Sequence, residues 1–111
     1  MSPLKLARRY MELVFAGDDM NALRDLITDD FIFRGPLYRY DSADEYIDAM
    51  RSNPLEGAGY TILQGFENDT AACLVYQFTK PGISTPMAQW FEVRGGRIQS
   101  VRLIFDSAPF T

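Results

Sequence analysis

The spacing of apolar residues along this chain changes once, from a helical period in the first half to alternation in the second. Leu6, Tyr10 and Leu13 recur at intervals of three and four residues, with charged positions between them. This spacing predicts an amphipathic helix over residues 3–16. Gly17 follows, and glycine is the residue that most often ends a helix.

Capping signals predict two further helices. Asp18 or Asp19 can cap a short helix that ends near Leu26. The segment Ser42–Glu45 forms a capping box, in which the serine and the glutamate each bind a free backbone amide. We expect this third helix to run to about Arg51. The acidic charge in its first turn suits the helix dipole, so no metal site is needed to explain it.

Between the second and third helices the chain is predicted to form a turn and two short strands. Thr28–Asp30 has the composition of a turn, Phe31–Arg34 has that of a short strand, and Leu37–Tyr40 is a candidate second strand. Gly35 and Pro36 separate the two strands.

From Gly59 onward, apolar and polar residues alternate in four long runs separated by turn residues. Asn68–Asp69 and Gly95–Gly96 are tight hairpin turns, and a longer turn lies between them at residues 80–84. Helices first and strands later predict one α+β domain, residues 1–111, with three helices on one face of an antiparallel sheet. The four strands are expected at residues 59–67, 70–79, 85–94 and 97–106.

The composition is that of a globular chain, and it argues against several classes of partner. Hydrophobic residues make up 47% of the 111 residues, and the formal net charge is −4, whereas nucleic-acid binding normally needs a basic stripe. No apolar run is long enough to span a membrane. Cys73 is the only cysteine, so neither an internal disulfide nor a zinc cluster is expected. We expect a cytoplasmic protein without a metal or cofactor.

The chain contains no histidine, so its candidate chemistry rests on neutral polar side chains. Tyr10 lies in the apolar stripe of the first helix, and Gln89 alternates with apolar residues in the third long strand. Each is either a polar point in a pocket or a core residue bonded to the backbone, because a buried hydroxyl without a partner costs about 1–3 kcal/mol. An amide does not titrate usefully, so Gln89 is not a general base.

Short segments, in order along nearly the whole chain, resemble the SnoaL-like branch of the nuclear transport factor 2-like superfamily. They are Arg9-Tyr10 with Ala16-Gly17-Asp18, Asp29-Asp30-Phe31 leading to Arg34-Gly35-Pro36, and Gly95-Gly96-Arg97-Ile98 with Ile104-Phe105-Asp106. The resemblance implies a cone of the cystatin-like α+β type, in which a curved sheet wraps the helices around a blind, mostly apolar pocket. Relatives include ketosteroid isomerases, polyketide cyclases, epoxide hydrolases and members without known activity, so fold does not give function.

The resemblance also implies that the catalytic groups of relatives are incomplete here. Tyr10 matches the tyrosine of ketosteroid isomerases, but Gly35 replaces their aspartate base and Gln89 replaces their protonated aspartate. The two aspartates of limonene-epoxide-hydrolase-like members correspond to Gln89 and Leu103. A resemblance to SnoaL-type cyclases would imply a site that contains a histidine and an aspartate. A chain without histidine cannot form such a site.

Strand alternation and the inward stripe of the first helix predict the lining of the pocket. Its apolar members are Leu13, Phe33, Phe91, Leu103 and Phe105, and its polar members are Tyr10, Tyr76 and Gln89. We expect it to bind a small, flat, apolar molecule with one carbonyl or hydroxyl group and to reject charged ligands. The alternative is an isomerase-, cyclase- or hydrolase-type enzyme with an unfamiliar set of residues, for which Tyr10 and Asp106 are the catalytic candidates.

The opposite face of the sheet is predicted to contact a second copy of the chain. Trp90 is next to Gln89 and therefore points away from the pocket, as Cys73, Val75 and Ile104 do. An exposed face that carries tryptophan and β-branched residues is often an interface. We expect a homodimer formed through this face, with no nucleic-acid or membrane partner.

Overall fold

The computed structural model describes all 111 residues and contains three α-helices and six β-strands. Each helix begins where the sequence supplies a cap, because the side chains of Ser2, Asp19 and Ser42 each accept a hydrogen bond from a first-turn amide. The bounds are α1 Pro3–Ala16, α2 Met20–Leu26, β1 Ile27–Arg34, β2 Arg39–Tyr40, α3 Ala43–Ser52, β3 Gly59–Glu67, β4 Ala71–Lys80, β5 Ile83–Arg94 and β6 Arg97–Ile104, followed by one 3₁₀ turn at Ala108–Phe110.

The six strands form one sheet in the order β2-β1-β6-β5-β4-β3. Strands β3 to β6 make the expected antiparallel meander. The sheet departs from a wholly antiparallel one at β1, which runs parallel to β6. A tight hairpin forces neighbouring strands to be antiparallel, whereas the long connection from β1 to β6 leaves either direction open. The sheet is therefore mixed.

Strand β1 begins earlier than the sequence pattern indicated. Thr28–Asp30, which has the composition of a turn, lies inside the strand at an irregularity in its pairing with β6. Asp29 forms an ion pair with Arg24 at 2.6 Å, and Asp30 forms one with Arg94 at 2.7 Å. Polar residues are accommodated in this strand because both carboxylates are exposed and each has an arginine partner.

The three helices cover one face of the sheet and bury a common core against it. Helix α1 packs across β3 to β6, α3 packs on β1, and α2 joins α1 to α3. The pairings of β3 with β4 and of β5 with β6 each contain a shift in register, and such irregularities bend a sheet. The expected α+β fold, a curved sheet around three helices, is confirmed. No helix is long and apolar enough to cross a membrane.

Candidate functional site

The helices and the inner face of the sheet enclose a cavity of about 360 Å³. Its wall is formed by 24 residues, 18 of them hydrophobic. They come from α1, from α3 and the loop after it, from β1, β2 and the turn between them, from the inner side of β4 to β6, and from the final 3₁₀ turn. Ligand sites commonly measure about 300–1,000 Å³ and combine an apolar wall with a few polar groups. The cavity therefore has the size of a site for a small molecule.

Six of the eight residues assigned to a pocket from the sequence lie in this wall. Residues of the strands reach it because every second residue of a strand faces the same side. The first helix contributes through its inner flank. The six are Tyr10, Phe33, Tyr76, Gln89, Leu103 and Phe105.

Leu13 and Phe91 do not line the cavity, although both are buried. Successive helical residues are turned by about 100°, so Leu13 points away from the flank of α1 that places Met11 and Val14 in the wall. Phe91 lies behind the wall, with its ring edge-on to that of Tyr10 at a centroid separation of 5.3 Å. Their expected place in the lining is corrected to the core that supports it.

Two hydrogen-bonded pairs form a polar cluster within this apolar wall. The hydroxyl groups of Tyr10 and Tyr46 are bonded to each other, and their rings are nearly parallel. The hydroxyl of Tyr76 donates to Oε1 of Gln89 at 2.8 Å. No buried polar side-chain atom lacks a partner, as expected of a stable interior.

The donors of this cluster outnumber the hydrogen bonds between its members. Tyr10 and Tyr46 have two hydroxyl protons, and the bond between them uses one of these. Gln89 accepts a hydrogen bond through Oε1 and keeps two amide N–H donors. The cluster can therefore donate to a carbonyl or hydroxyl oxygen in the cavity.

Burial governs the ionisation of the three tyrosines. Loss of solvation raises the pKa of Tyr10, Tyr46 and Tyr76 above the usual value of a tyrosine hydroxyl, and the neighbouring Tyr46 raises the pKa of Tyr10 further. The Gln89 amide has a smaller, opposite effect on the pKa of Tyr10. All three hydroxyls are neutral donors near neutral pH, and none is a base there.

No carboxylate or histidine lines the cavity. The catalytic candidate Asp106 lies outside the wall, is exposed, and accepts a hydrogen bond from the backbone amide of Ala108 at 3.0 Å. Gly35, which lies in the turn between β1 and β2, is part of the wall. Lys80 is the one charged residue of the wall. No group of three or more Asp, Glu, Cys and His side chains is arranged to hold a metal ion.

Tyr46 is the main residue of the wall that the sequence analysis did not assign to a pocket. The helical stripe places it on the inner face of α3, but nothing in the stripe shows that this face meets Tyr10, 36 residues away. Phe110 and the β1–β2 turn also enter the wall through tertiary contacts. The available signal was an inward-facing tyrosine, whose hydroxyl needs a partner when buried.

The outer face of the same strands carries exposed apolar side chains. Trp90 is 41% exposed, Phe66 58% and Ile104 60%. Cross-strand pairing places Phe66 beside Cys73 and Cys73 beside Trp90, and we call these three residues the outer row. The guanidinium of Arg102 borders the row, 5.9 Å from the centroid of the Trp90 ring.

Several solved structures share this fold. A nuclear transport factor 2-like protein of unknown function from Cytophaga hutchinsonii matches with a TM-score of 0.84 at 19% identity, covering 99% of this chain and 95% of that one. A protein from Kribbella flavida matches with a TM-score of 0.84 at 27% identity, covering 98% and 90%. An LEH-like epoxide hydrolase from M. tuberculosis matches with a TM-score of 0.76 at 15% identity, covering 94% and 82%. These likenesses establish the fold.

Sequence comparison identifies the family. No curated protein matches the chain. The family model of the SnoaL-like domain, however, matches residues 7–101, which hold most of α1, both other helices and nearly all of the sheet. This chain therefore belongs to the SnoaL-like domain family.

Proposed function

We propose that this protein binds a small, largely apolar molecule that carries one carbonyl or hydroxyl oxygen. The observation that carries this proposal is the buried polar cluster of Tyr10, Tyr46, Tyr76 and Gln89 in an otherwise apolar wall. Four polar side chains at one point of a core contribute little to folding, because each must be desolvated and then paired. The donors left over from their pairing suit an oxygen atom of a ligand.

The apolar wall defines the rest of the ligand. The rings of Phe33, Tyr40 and Phe105 contribute to it, and aromatic side chains offer large, rigid contact surfaces. Burial of apolar surface supplies about 25 cal/mol per Å², so most of the binding energy comes from the body of the ligand. The polar cluster then determines which end of the ligand enters first.

The wall does not contain the acid–base groups of the catalytic sets known in relatives. The resemblance places Gly35, Gln89 and Leu103 where relatives carry aspartates, and none of these three side chains ionises. Proton transfer by a general base needs a titratable group near the reacting atom. A binding role therefore fits the residues of this cavity better than the family's chemistry.

The alternative is an enzyme of the isomerase, cyclase or hydrolase type. The observation in its favour is that the Tyr10–Tyr46 pair, with its spare hydroxyl proton, and the amide of Gln89 line the same cavity. Converging donors of this kind stabilise negative charge that develops on a substrate oxygen. Turnover of a bound ligand that is abolished in Tyr10→Phe would favour the enzyme, whereas binding without turnover would favour the binding protein.

Calorimetry with matched pairs of flat molecules tests the binding role. Each pair consists of a ketone or alcohol and the hydrocarbon of the same shape. We expect the wild type to prefer the oxygen-bearing member, and Gln89→Leu to bind that member about three- to tenfold more weakly, which is the value of one hydrogen bond. Gln64→Leu changes an exposed glutamine of β3 and is the matched control. An unchanged affinity in Gln89→Leu would contradict the proposal.

We also propose that two copies associate through the outer row. A partly exposed tryptophan beside other exposed apolar residues is the kind of anchor that interfaces bury, and one face of a sheet can meet its own copy about a twofold axis. Trp90→Glu should halve the mass measured by light scattering, whereas Thr61→Glu, an exposed polar position of β3, should not. A wild type that is monomeric at micromolar concentration would overturn this idea.

A further inference from the structure

Lys80 is the only charged residue of the cavity wall, and it is exposed, so it lies where the cavity meets solvent. Its ammonium sits over the ring of Phe110, 5.1 Å from the centroid. All five salt bridges of the structure are made by arginine, so this lysine has no carboxylate partner. The charge of Lys80 is therefore free to meet an anion that enters the cavity.

The geometry of β4 separates Lys80 from the polar cluster by a defined distance. Tyr76, Phe78 and Lys80 are alternate residues of this strand and face the same side. Four residues of a strand span about 13 Å, and Phe78 forms part of the wall between the two ends. The cavity thus has a neutral polar end at the cluster that includes Tyr10 and Gln89, an apolar middle and a cationic end at Lys80.

A cation at the rim of an apolar cavity recognises an anionic group whose attached body remains buried. A carboxylate next to Lys80 gains a charge-assisted hydrogen bond, and its apolar body replaces water in the cavity. The whole chain carries a net charge of −4, so the overall charge of the protein does not attract anions. An anion must therefore be attracted by the local charge of Lys80. One ammonium balances one charge, which matches a carboxylate rather than a doubly charged phosphate.

We propose that the ligand is an amphipathic acid, with a carbonyl or hydroxyl oxygen at the Tyr10–Gln89 end and a carboxylate at Lys80. The two groups would be roughly 10 Å apart, which is the strand distance less part of the reach of the lysine side chain. This inference rests on the proposed function and specifies its ligand class. It also revises the sequence-based expectation that the pocket rejects charged ligands, because that expectation considered only residues near the centre.

The test compares the affinities of an acid and its neutral ester for the protein. The probes are aryl ketones that bear an alkanoate chain of one to four carbons opposite the acetyl group, and their methyl esters. We expect calorimetry to show that at least one acid binds about three- to tenfold more tightly than its ester. This preference should shrink as salt is added, since the pair lies at the protein surface.

Three variants assign the preference to one side chain. Lys80→Gln should bind acid and ester equally, whereas Lys80→Arg should keep the preference. Lys5→Gln removes the other lysine of the chain, which is exposed on α1 and outside the wall, and should leave the preference unchanged. These controls separate a local contact from a change in the net charge of the protein.

The outcomes distinguish this inference from the proposal beneath it. If the esters bind as tightly as the acids, or if Lys80→Gln keeps the preference, the carboxylate site is wrong while the binding role of the cavity stands. If neither acids nor esters bind at millimolar concentration, both proposals are overturned. An acid preference that Lys80→Gln removes, together with weaker ester binding in Gln89→Leu, supports both.

Discussion

The two faces of strand β5 show how differently neighbouring residues are used. On the inner face, Gln89 is buried and bonded to Tyr76, and Phe91 is 0% exposed. On the outer face, Trp90 is 41% exposed and lies beside Cys73 in the outer row. Polar atoms are thus paired inside an apolar space, while apolar atoms remain in solvent outside. The contrast supports two separate recognition roles, one for a small molecule and one for a protein surface.

The largest expected effect is a loss of protein stability, and it should differ between substitutions on the two faces of β5. Phe91→Ala removes a fully buried ring and should lower the free energy of unfolding by about 3–5 kcal/mol, through lost burial and the cavity left behind. Trp90→Ala, one residue away, should cost less than half as much, because that ring is already partly in solvent. Urea unfolding at low protein concentration measures both. Equal losses would mean that the outer face is as much a part of the core as the inner one.

A smaller effect tests whether the inner polar cluster stabilises the protein without a ligand. Tyr46→Phe removes the hydroxyl bonded to Tyr10 and should cost about 1–3 kcal/mol, because the remaining buried hydroxyl loses a partner. Tyr40→Phe is the control, since its ring packs against Tyr46 at 5.7 Å in the same part of the wall. A Tyr46→Phe protein that is more stable than the wild type would show that the polar cluster destabilises the ligand-free protein.

The effect that is smallest near neutral pH is the ionisation of the buried tyrosines, which changes stability only in alkaline solution. Tyr10, Tyr46 and Tyr76 have raised pKa values through burial, so above about pH 10 the unfolded chain loses their protons before the folded chain does. The free energy of unfolding should therefore be insensitive to these groups below pH 10. Above it, the free energy should fall by up to about 1.4 kcal/mol per pH unit for each tyrosine.

Removing one of the buried tyrosines checks this assignment. Tyr76→Phe should make the alkaline fall in unfolding free energy shallower by about the contribution of one tyrosine proton to the slope. Urea unfolding at a series of pH values measures this slope. Tyr38→Phe, at an exposed position of the β1–β2 turn, serves as the control. The same slope in Tyr76→Phe and in the wild type would argue that this hydroxyl is not held neutral by the fold.

Much of the fold was accessible from local patterns. Ser42 and its capping box predicted the start of α3, and alternation from Gly59 predicted the meander, because both signals depend only on residues within a few positions. Gly95 and Gly96 adopt positive φ values of 60° and 78° at the hairpin between β5 and β6, as a tight turn of this kind requires. The polar run at Thr28–Asp30 was predicted as a turn but lies in a strand, where Asp29 pairs with Arg24 and Asp30 pairs with the distant Arg94.

The candidate site was accessible only in part. Alternation within β4 predicted the face of Tyr76, and alternation within β5 predicted the face of Gln89, because every second residue of a strand shares a side. It did not give the depth at which each residue lies, and so it placed Phe91 in the lining instead of behind it. The partner of Tyr10 was not assigned, because two helices decide that contact together.

The sequence by itself determined the elements and their faces, since helix period, strand period and caps are properties of neighbouring residues. It also determined that Gln89 points inward and Trp90 outward, through the alternation of one strand. Only the tertiary structure decided the parallel pairing of β1, the meeting of Tyr10 with Tyr46, and the position of Lys80 at the rim beside Phe110. Each of these is a contact between segments far apart in the chain, and local periodicity carries no information about which distant surfaces meet.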